Sequence, residues 1–125
     1  MQSSERCGDY QLLRYLTAGG MADLWLARGP KHPSDLVVKR IQPRYLEFTR
    51  VVKMFIDEGR IAQALEHPNI VKSVDVGQEQ GNYFIAMEYI AGKDLLAICR
   101  RGVEVGNFLP RPIAVALLAQ ALRGL

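Results

Sequence analysis

Two adjacent glycines near the start of this 125-residue chain, Gly19 and Gly20, constrain its fold more than any other feature. They separate residues 10–16 from residues 22–27, and both runs mix apolar and polar side chains as half-buried strands do. A Gly-Gly pair suits a tight reversal between antiparallel strands, and it equally suits close approach of the backbone to an anion. The stretch alone leaves both interpretations open, a hairpin turn or a loop that covers a phosphate.

The remaining apolar pattern predicts an α+β fold. A loop rich in glycine and proline precedes a third strand of branched apolar residues, and a helix follows whose apolar residues recur at spacings of three, four and seven. Two more strands and two helices complete the chain. The predicted strands beyond the hairpin are 36–41, 70–76 and 83–87, and the predicted helices are 48–65, 94–101 and 113–125. These segments predict a five-stranded antiparallel sheet with one main helix, followed by further helices.

Composition narrows the class of function. A chain that is 49% hydrophobic can bury a core, and a net charge of +3 with scattered basic residues does not favour nucleic acid as a partner. The two cysteines, Cys7 and Cys99, have neither the number nor the spacing of a disulfide framework or a zinc site. We therefore expect free thiols and no metal site.

The two ends of the chain bear on its location. The first ten residues are polar and lack the apolar core of a signal peptide, which predicts a cytoplasmic protein. The most apolar segment, residues 113–125, is shorter than the roughly 20 residues that a membrane span needs. It is predicted to be a buried helix.

Two charged residues fall on apolar faces of the predicted elements. Alternation along the third strand places Lys39 on one face with Val37 and Ile41, and helical spacing places Glu58 in a stripe with Phe55. Because an isolated charge is costly to desolvate, the simplest explanation is that the two form an ion pair. The alternative is that both side chains reach water at the edges of their elements. An ammonium held by a carboxylate is suited to bind the anionic oxygens of a phosphate.

Taken in order along the chain, these residues resemble the small amino-terminal lobe of bacterial Ser/Thr protein kinases of the eukaryotic type. Five motifs carry the resemblance. They are the glycine-rich loop 17–24, the strand Leu36-Val37-Val38-Lys39, the helical Phe55-Ile56-Asp57-Glu58, the segment Leu65-Glu66-His67-Pro68-Asn69-Ile70-Val71, and Tyr83 to Gly92. The resemblance implies that ATP is the ligand, that Lys39 contacts its α- and β-phosphates, and that Glu58 holds Lys39.

The resemblance also implies further nucleotide contacts. Met87 would be the gatekeeper, Glu88 and Ile90 would offer a main-chain acceptor and donor to adenine, and Asp94 would meet the ribose. The other positions implied to line the site are Leu16, Gly19, Gly20, Ala22, Leu24 and Val37. The chain departs from the family where Thr17 and Ala22 replace the first and third motif glycines, and where Val37 replaces the usual alanine.

The resemblance to the protein kinases also implies the domain organisation and the reaction. We expect a polar tail at 1–9, a small lobe and hinge at 10–92, and the helical start of a large lobe at 93–125. The sequence contains neither the His-Arg-Asp motif nor the Asp-Phe-Gly motif, which supply the catalytic base and the Mg²⁺ ligands in the family. The chain by itself is therefore predicted to be inactive. In a whole kinase neighbouring helices would cover the apolar helix 113–125, and in this chain we expect it to be largely exposed. The expected partners are ATP and either a protein substrate or a protein that covers this helix.

Two alternatives remain open at this point. In the first alternative, the chain is a non-catalytic kinase-like module that binds a protein partner, or a gene fragment. Alternatively, it is an unrelated small α/β domain in which the glycines form a hairpin and Lys39 with Glu58 is a structural pair.

Overall fold

The computed structural model describes residues 5–125, which form two compact units. The first unit comprises the described residues up to Glu66 together with Val71–Tyr89. The second comprises His67–Ile70 together with Ile90–Leu125. Since the short 67–70 segment lies in the second unit, the chain passes between the two units more than once.

The first unit is built on a sheet of six antiparallel strands in the order β1-β2-β3-β4-β6-β5. The strands are β1 (Arg6–Cys7), β2 (Tyr10–Ala18), β3 (Ala22–Arg28), β4 (Leu36–Ile41), β5 (Ser73–Glu79) and β6 (Asn82–Glu88). The predicted α+β class is confirmed, and the predicted hairpin about the two glycines is the β2–β3 pair. The sheet has one strand more than the five predicted.

The additional strand β1 lies within the predicted polar tail. Residues 1–4 of that tail are outside the described residues, whereas Cys7 pairs with Tyr10 and both side chains are buried. Gly8 turns the chain between them with φ +60°, a conformation that favours glycine, and its amide donates to the Glu79 carboxylate. A strand of two residues is too short to show alternation, which is why periodicity did not predict it.

Both faces of the sheet carry buried apolar side chains. One face holds a cluster that includes Cys7, Tyr10, Leu12, Leu36, Val38 and Phe84, and the other holds Ala22, Ile41, Phe55 and Ile85. The main helix α1 (Thr49–Ala64) packs on the second face and buries Phe55 and Gly59 there. A Cβ atom at Gly59 would lie 2.7 Å from Val76 Cγ2, so the helix approaches the sheet at a distance that only glycine allows.

The second unit contains two helices, α2 (Leu95–Val105) and α3 (Arg111–Gly124). The Asp94 carboxylate caps the start of α2 by accepting from the Ala97 amide, and Gly106 ends it with φ +66°. The Asn69 side-chain amide donates to the Gln120 carbonyl at 2.8 Å, which ties the 67–70 segment to α3. Every residue of α3 keeps part of its surface accessible, so the apolar segment 113–125 is not a buried helix, in agreement with the expectation that it is exposed in this chain.

Candidate functional site

Lys39 and Glu58 form the central contact of the candidate site. Lys39 Nζ donates to Glu58 Oε1 at 2.6 Å, so the ion pair expected from the two apolar faces is present. On β4, Lys39 lies between Leu24 of β3 and Ile85 of β6, and cross-strand partners project to the same face of a sheet. Its ammonium also lies 5.7 Å from the centre of the Phe55 ring, a contact that the sequence did not predict.

The exposure of this ion pair differs from the expectation. The Lys39 side chain is 25% exposed and the Glu58 side chain is 57% exposed, so the prediction that Glu58 faces the interior is wrong. The reason is that α1 contacts the sheet through Phe55 and Gly59, which leaves Glu58 at the flank of the helix. A pair this exposed contributes about 1 kcal/mol or less to stability. The ammonium is thus oriented by the carboxylate and still open to a ligand.

The loop between β2 and β3 consists of Gly19, Gly20 and Met21. The Gly19 amide donates to the Ala22 carbonyl at 2.7 Å and closes the turn. The glycines with left-handed φ in residues 5–125 are Gly8, Gly81, Gly92 and Gly106, so the loop backbone is of a kind that other residues adopt. A Cβ atom at Gly20 would meet no atom within 4 Å. Gly20 therefore borders open space, as close approach of a ligand requires.

The structure places most other predicted residues on neighbouring strands of the first unit. Val37 is buried and pairs with Met87 across β4 and β6, two residues along β4 from Lys39. Ala22 is buried at the start of β3, while Leu16 and Leu24 are half-buried. All these positions border the Lys39 strand or the hairpin that contains the loop.

Three predicted contacts lie at the end of β6 and beyond it. The Glu88 amide donates to the Lys72 carbonyl at 2.9 Å, and the Glu88 carboxylate accepts from the Lys72 amide. Ile90 belongs to the second unit and is exposed. Asp94 also belongs to the second unit, where one carboxylate oxygen caps α2 at 2.7 Å. The adenine and ribose contacts of these residues stay predictions.

A groove of about 830 Å³ opens between the glycine loop and α1. The Lys39–Glu58 pair lies at this groove, and the rest of its lining is largely apolar. The apolar residues include Met21, Ile41, Met54, Phe55, Ile61 and Leu65. The groove has room for more than the phosphates of a nucleotide, and its apolar lining offers a surface for an apolar side chain of another molecule.

Residues 5–125 show neither a cluster of metal ligands nor a helix that could span a membrane. Within residues 5–125, no group of three or more His, Cys, Asp or Glu side chains is placed to hold a metal ion. In the same range, no helix combines the length and the apolar character needed to cross a bilayer.

Comparison with known proteins gives a consistent family. The profile described as protein tyrosine and serine/threonine kinase matches residues 11–123. The chain is 38% identical over 121 residues to the tyrosine-protein kinase MasK of Myxococcus xanthus, covering 94% of this chain and 19% of that protein. It is 36% identical over 88 residues to the serine/threonine-protein kinase PrkC of Bacillus subtilis, covering 70% of this chain and 14% of that protein. The chain thus spans less than a fifth of these relatives.

Solved structures show the same fold. The PknI kinase domain of Mycobacterium tuberculosis superposes with a TM-score of 0.77 at 24% identity. The superposition covers 97% of this chain and 48% of the PknI chain. At this identity the likeness concerns the fold, which is that of a kinase small lobe with the start of the large lobe.

Proposed function

This chain belongs to the protein tyrosine and serine/threonine kinase family, and from that premise we propose that it binds ATP. The observation that carries the proposal is the contact of 2.6 Å between Lys39 Nζ and Glu58 Oε1. The carboxylate fixes the position of a partly exposed ammonium, and that ammonium is the group that meets the α- and β-phosphates in this family. The open space above Gly20 supports the same assignment, because the loop backbone can approach the phosphates.

The proposed site extends from the phosphates to the base. Leu16, Ala22, Leu24 and Val37 line the nucleotide site, with Val37 above the adenine ring and Met87 as gatekeeper. The main chain of Glu88 and Ile90 binds the edge of the adenine. The resemblance to the family further implies that Asp94 contacts the ribose. In this proposal residues 10–92 are the small lobe and hinge, and residues 93–125 begin the large lobe.

The proposed reaction of the whole protein is transfer of the γ-phosphoryl group of ATP to a protein serine or threonine. In the family, Mg²⁺ neutralises the phosphates and a catalytic aspartate positions the acceptor hydroxyl. The 125 residues contain neither of the motifs that supply these groups. We therefore propose that this chain binds and orients ATP, and that it transfers no phosphate alone. Its cytoplasmic location stays a prediction.

A thermal-shift titration with Mg-ATP tests the proposal. Wild-type protein should gain stability as ATP rises through the millimolar range, by about 2.7 kcal/mol when ATP reaches a hundred times its Kd. Lys39→Met should abolish most of this gain because it removes the ammonium that meets the phosphates. Lys53→Met is the matched control, since Lys53 is an exposed residue of α1 outside the proposed site.

The outcome separates two functions. Stabilisation that depends on Lys39 and not on Lys53 supports nucleotide binding. No stabilisation at millimolar ATP contradicts it and favours the second candidate, a kinase-like module that binds a protein. The observation in favour of that candidate is the apolar groove beside α1, which a protein side chain would fill without any nucleotide.

A further inference from the structure

Gln42 connects the end of the lysine strand to the glycine loop. It directly follows β4, and its amide donates to the Met21 carbonyl at 2.9 Å. This bond extends the β3–β4 pairing one step beyond the Ala22–Ile41 pair and into the loop. The Gln42 side chain adds a second bond, because Nε2 donates to Asp23 Oδ1 at 3.1 Å. Gln42 therefore binds the loop through its main chain and the adjoining start of β3 through its side chain.

The orientation of the Gln42 amide follows from the chemistry of its neighbours. Arg44 Nε donates to Gln42 Oε1 at 3.0 Å, while the Asp23 carboxylate accepts from Nε2. A guanidinium can only donate and a carboxylate can only accept, so the two partners together determine which end of the amide is which. The bond to Asp23 is partly buried, and water therefore competes with it less than at an open surface.

We propose that Gln42 is a positioning residue that holds the glycine loop at a set height above the phosphates of bound ATP. This inference rests on the proposed function and adds a residue that the kinase resemblance did not imply. Gly19, Gly20 and Met21 are all exposed, so the loop itself has little packing to hold it. Lys39 lies three residues before Gln42 on the same stretch of chain, which links the loop to the ammonium. The loop backbone and the Lys39 ammonium are thereby held at a fixed distance from each other when they contact the phosphates.

The bonds from Gln42 to Met21 and Asp23, here called the tether, restrain the loop in the same sense as its departures from the glycine motif. Thr17 and Ala22 stand where the family has glycine, and each restricts the backbone at one end of the loop. The Gly19–Ala22 bond and the Gln42–Met21 bond act on the same three-residue turn. A loop restrained at its ends and tied to β4 loses less entropy when a ligand binds.

Gln42→Leu tests the tether without nucleotide and with it. The substitution removes both side-chain bonds of Gln42 and keeps a side chain of similar size. The Gln42–Met21 main-chain bond remains but loses the partly buried side-chain anchor to Asp23 that supports it, so amide hydrogen exchange of residues 17–23 in free protein should become about tenfold faster. The Kd for Mg-ATP should rise about three- to tenfold. The Kd for adenosine, which lacks the phosphates, should stay unchanged.

Three comparisons make the result decisive. Gln78→Leu makes the same change at an exposed position of β5 and should alter neither exchange nor affinity. Asp23→Asn keeps an oxygen acceptor and should resemble wild type, whereas Asp23→Leu should resemble Gln42→Leu. Unchanged exchange in residues 17–23, or equal losses for ATP and adenosine, overturns the inference. If the wild-type protein binds no ATP, the proposed function fails and the phosphate role of Gln42 fails with it, while the exchange data still decide whether the tether exists.

Discussion

At the scale of single residues, the Cys7 thiol makes stability depend on alkaline pH. Burial raises its pKa from 9.0 to about 11, with Glu79 and Glu5 adding to the rise and Arg40 opposing it. The folded state therefore keeps the proton between pH 9 and 11, whereas the unfolded chain releases it. The resulting stability is fully present below pH 9 and is lost as pH rises through about 11. By pH 10 the loss should be about 1 kcal/mol.

Urea denaturation at pH 8 and pH 10 measures this loss. Tyr10 is also buried and its pKa is raised, so the change in the free energy of unfolding of the wild-type protein between pH 8 and pH 10 includes a contribution from Tyr10. Cys7→Ala removes only the thiol. The contribution of Cys7 is therefore the difference between the two proteins in how much the free energy of unfolding changes from pH 8 to pH 10. Equal changes in the free energy of unfolding for wild type and Cys7→Ala would show that folding does not raise the pKa of the thiol.

How far single residues of the site were predictable depends on the kind of signal each one leaves. Lys39 and Glu58 were predictable because a charge on an apolar face is anomalous in sequence, and the anomaly suggested a partner. The exposure of Glu58 was not, because periodicity gives a helix face only to within about one residue. Gln42 left no signal, since its role depends on Asp23, which comes close to it only when β3 and β4 are paired.

At the scale of elements, the packing of α1 on the sheet depends on Gly59. Alanine there should strengthen the isolated helix by about 1 kcal/mol. In the folded protein its Cβ would meet Val76 Cγ2 at 2.7 Å and Ile85 Cγ1 at 3.0 Å. Because both neighbours belong to the sheet, we expect Gly59→Ala to destabilise the protein by about 1–3 kcal/mol, measured as a lower urea midpoint.

A double variant distinguishes steric overlap from a change in helix propensity. Val76→Ala removes the methyl group that lies nearest to the added Cβ. The Gly59→Ala/Val76→Ala protein should be less destabilised than the sum of its two single variants predicts. If Gly59→Ala alone raises stability, then propensity outweighs packing and α1 does not need a close approach to the sheet.

Element limits were predictable wherever one periodicity continued over several residues. The limits of β4 were predicted correctly, and those of α1 differ from the prediction by one residue at each end. The strand predicted at 70–76 is instead Ser73–Glu79. The reason is that Ile70 belongs to the second unit, where Asn69 binds Gln120, and a contact over 51 residues leaves no local pattern.

At the scale of the whole molecule, the two units differ in how much they bury. The sheet unit contains side chains with almost no exposure, among them Val38, Ile41 and Ile85. In the second unit, every residue of α2 and α3 is at least partly accessible, and Leu122 is 67% exposed. Burial of apolar surface supplies most of the free energy that resists opening, so resistance should follow this division.

Native-state hydrogen exchange should therefore show two levels of protection in this chain. Amides of β4 and β6 should exchange only through opening close to global unfolding, whereas amides of α2 and α3 should exchange orders of magnitude faster through local opening. Lowering stability with sub-denaturing urea should speed exchange in β4 and β6 strongly and in the two helices much less, since local opening exposes little new surface. Equal protection and equal urea dependence in both units would mean that α2 and α3 unfold together with the sheet. In that case the exposed apolar side chains of α3 would need to be covered in solution, and protection that rises with protein concentration would identify a second copy of the chain as the cover.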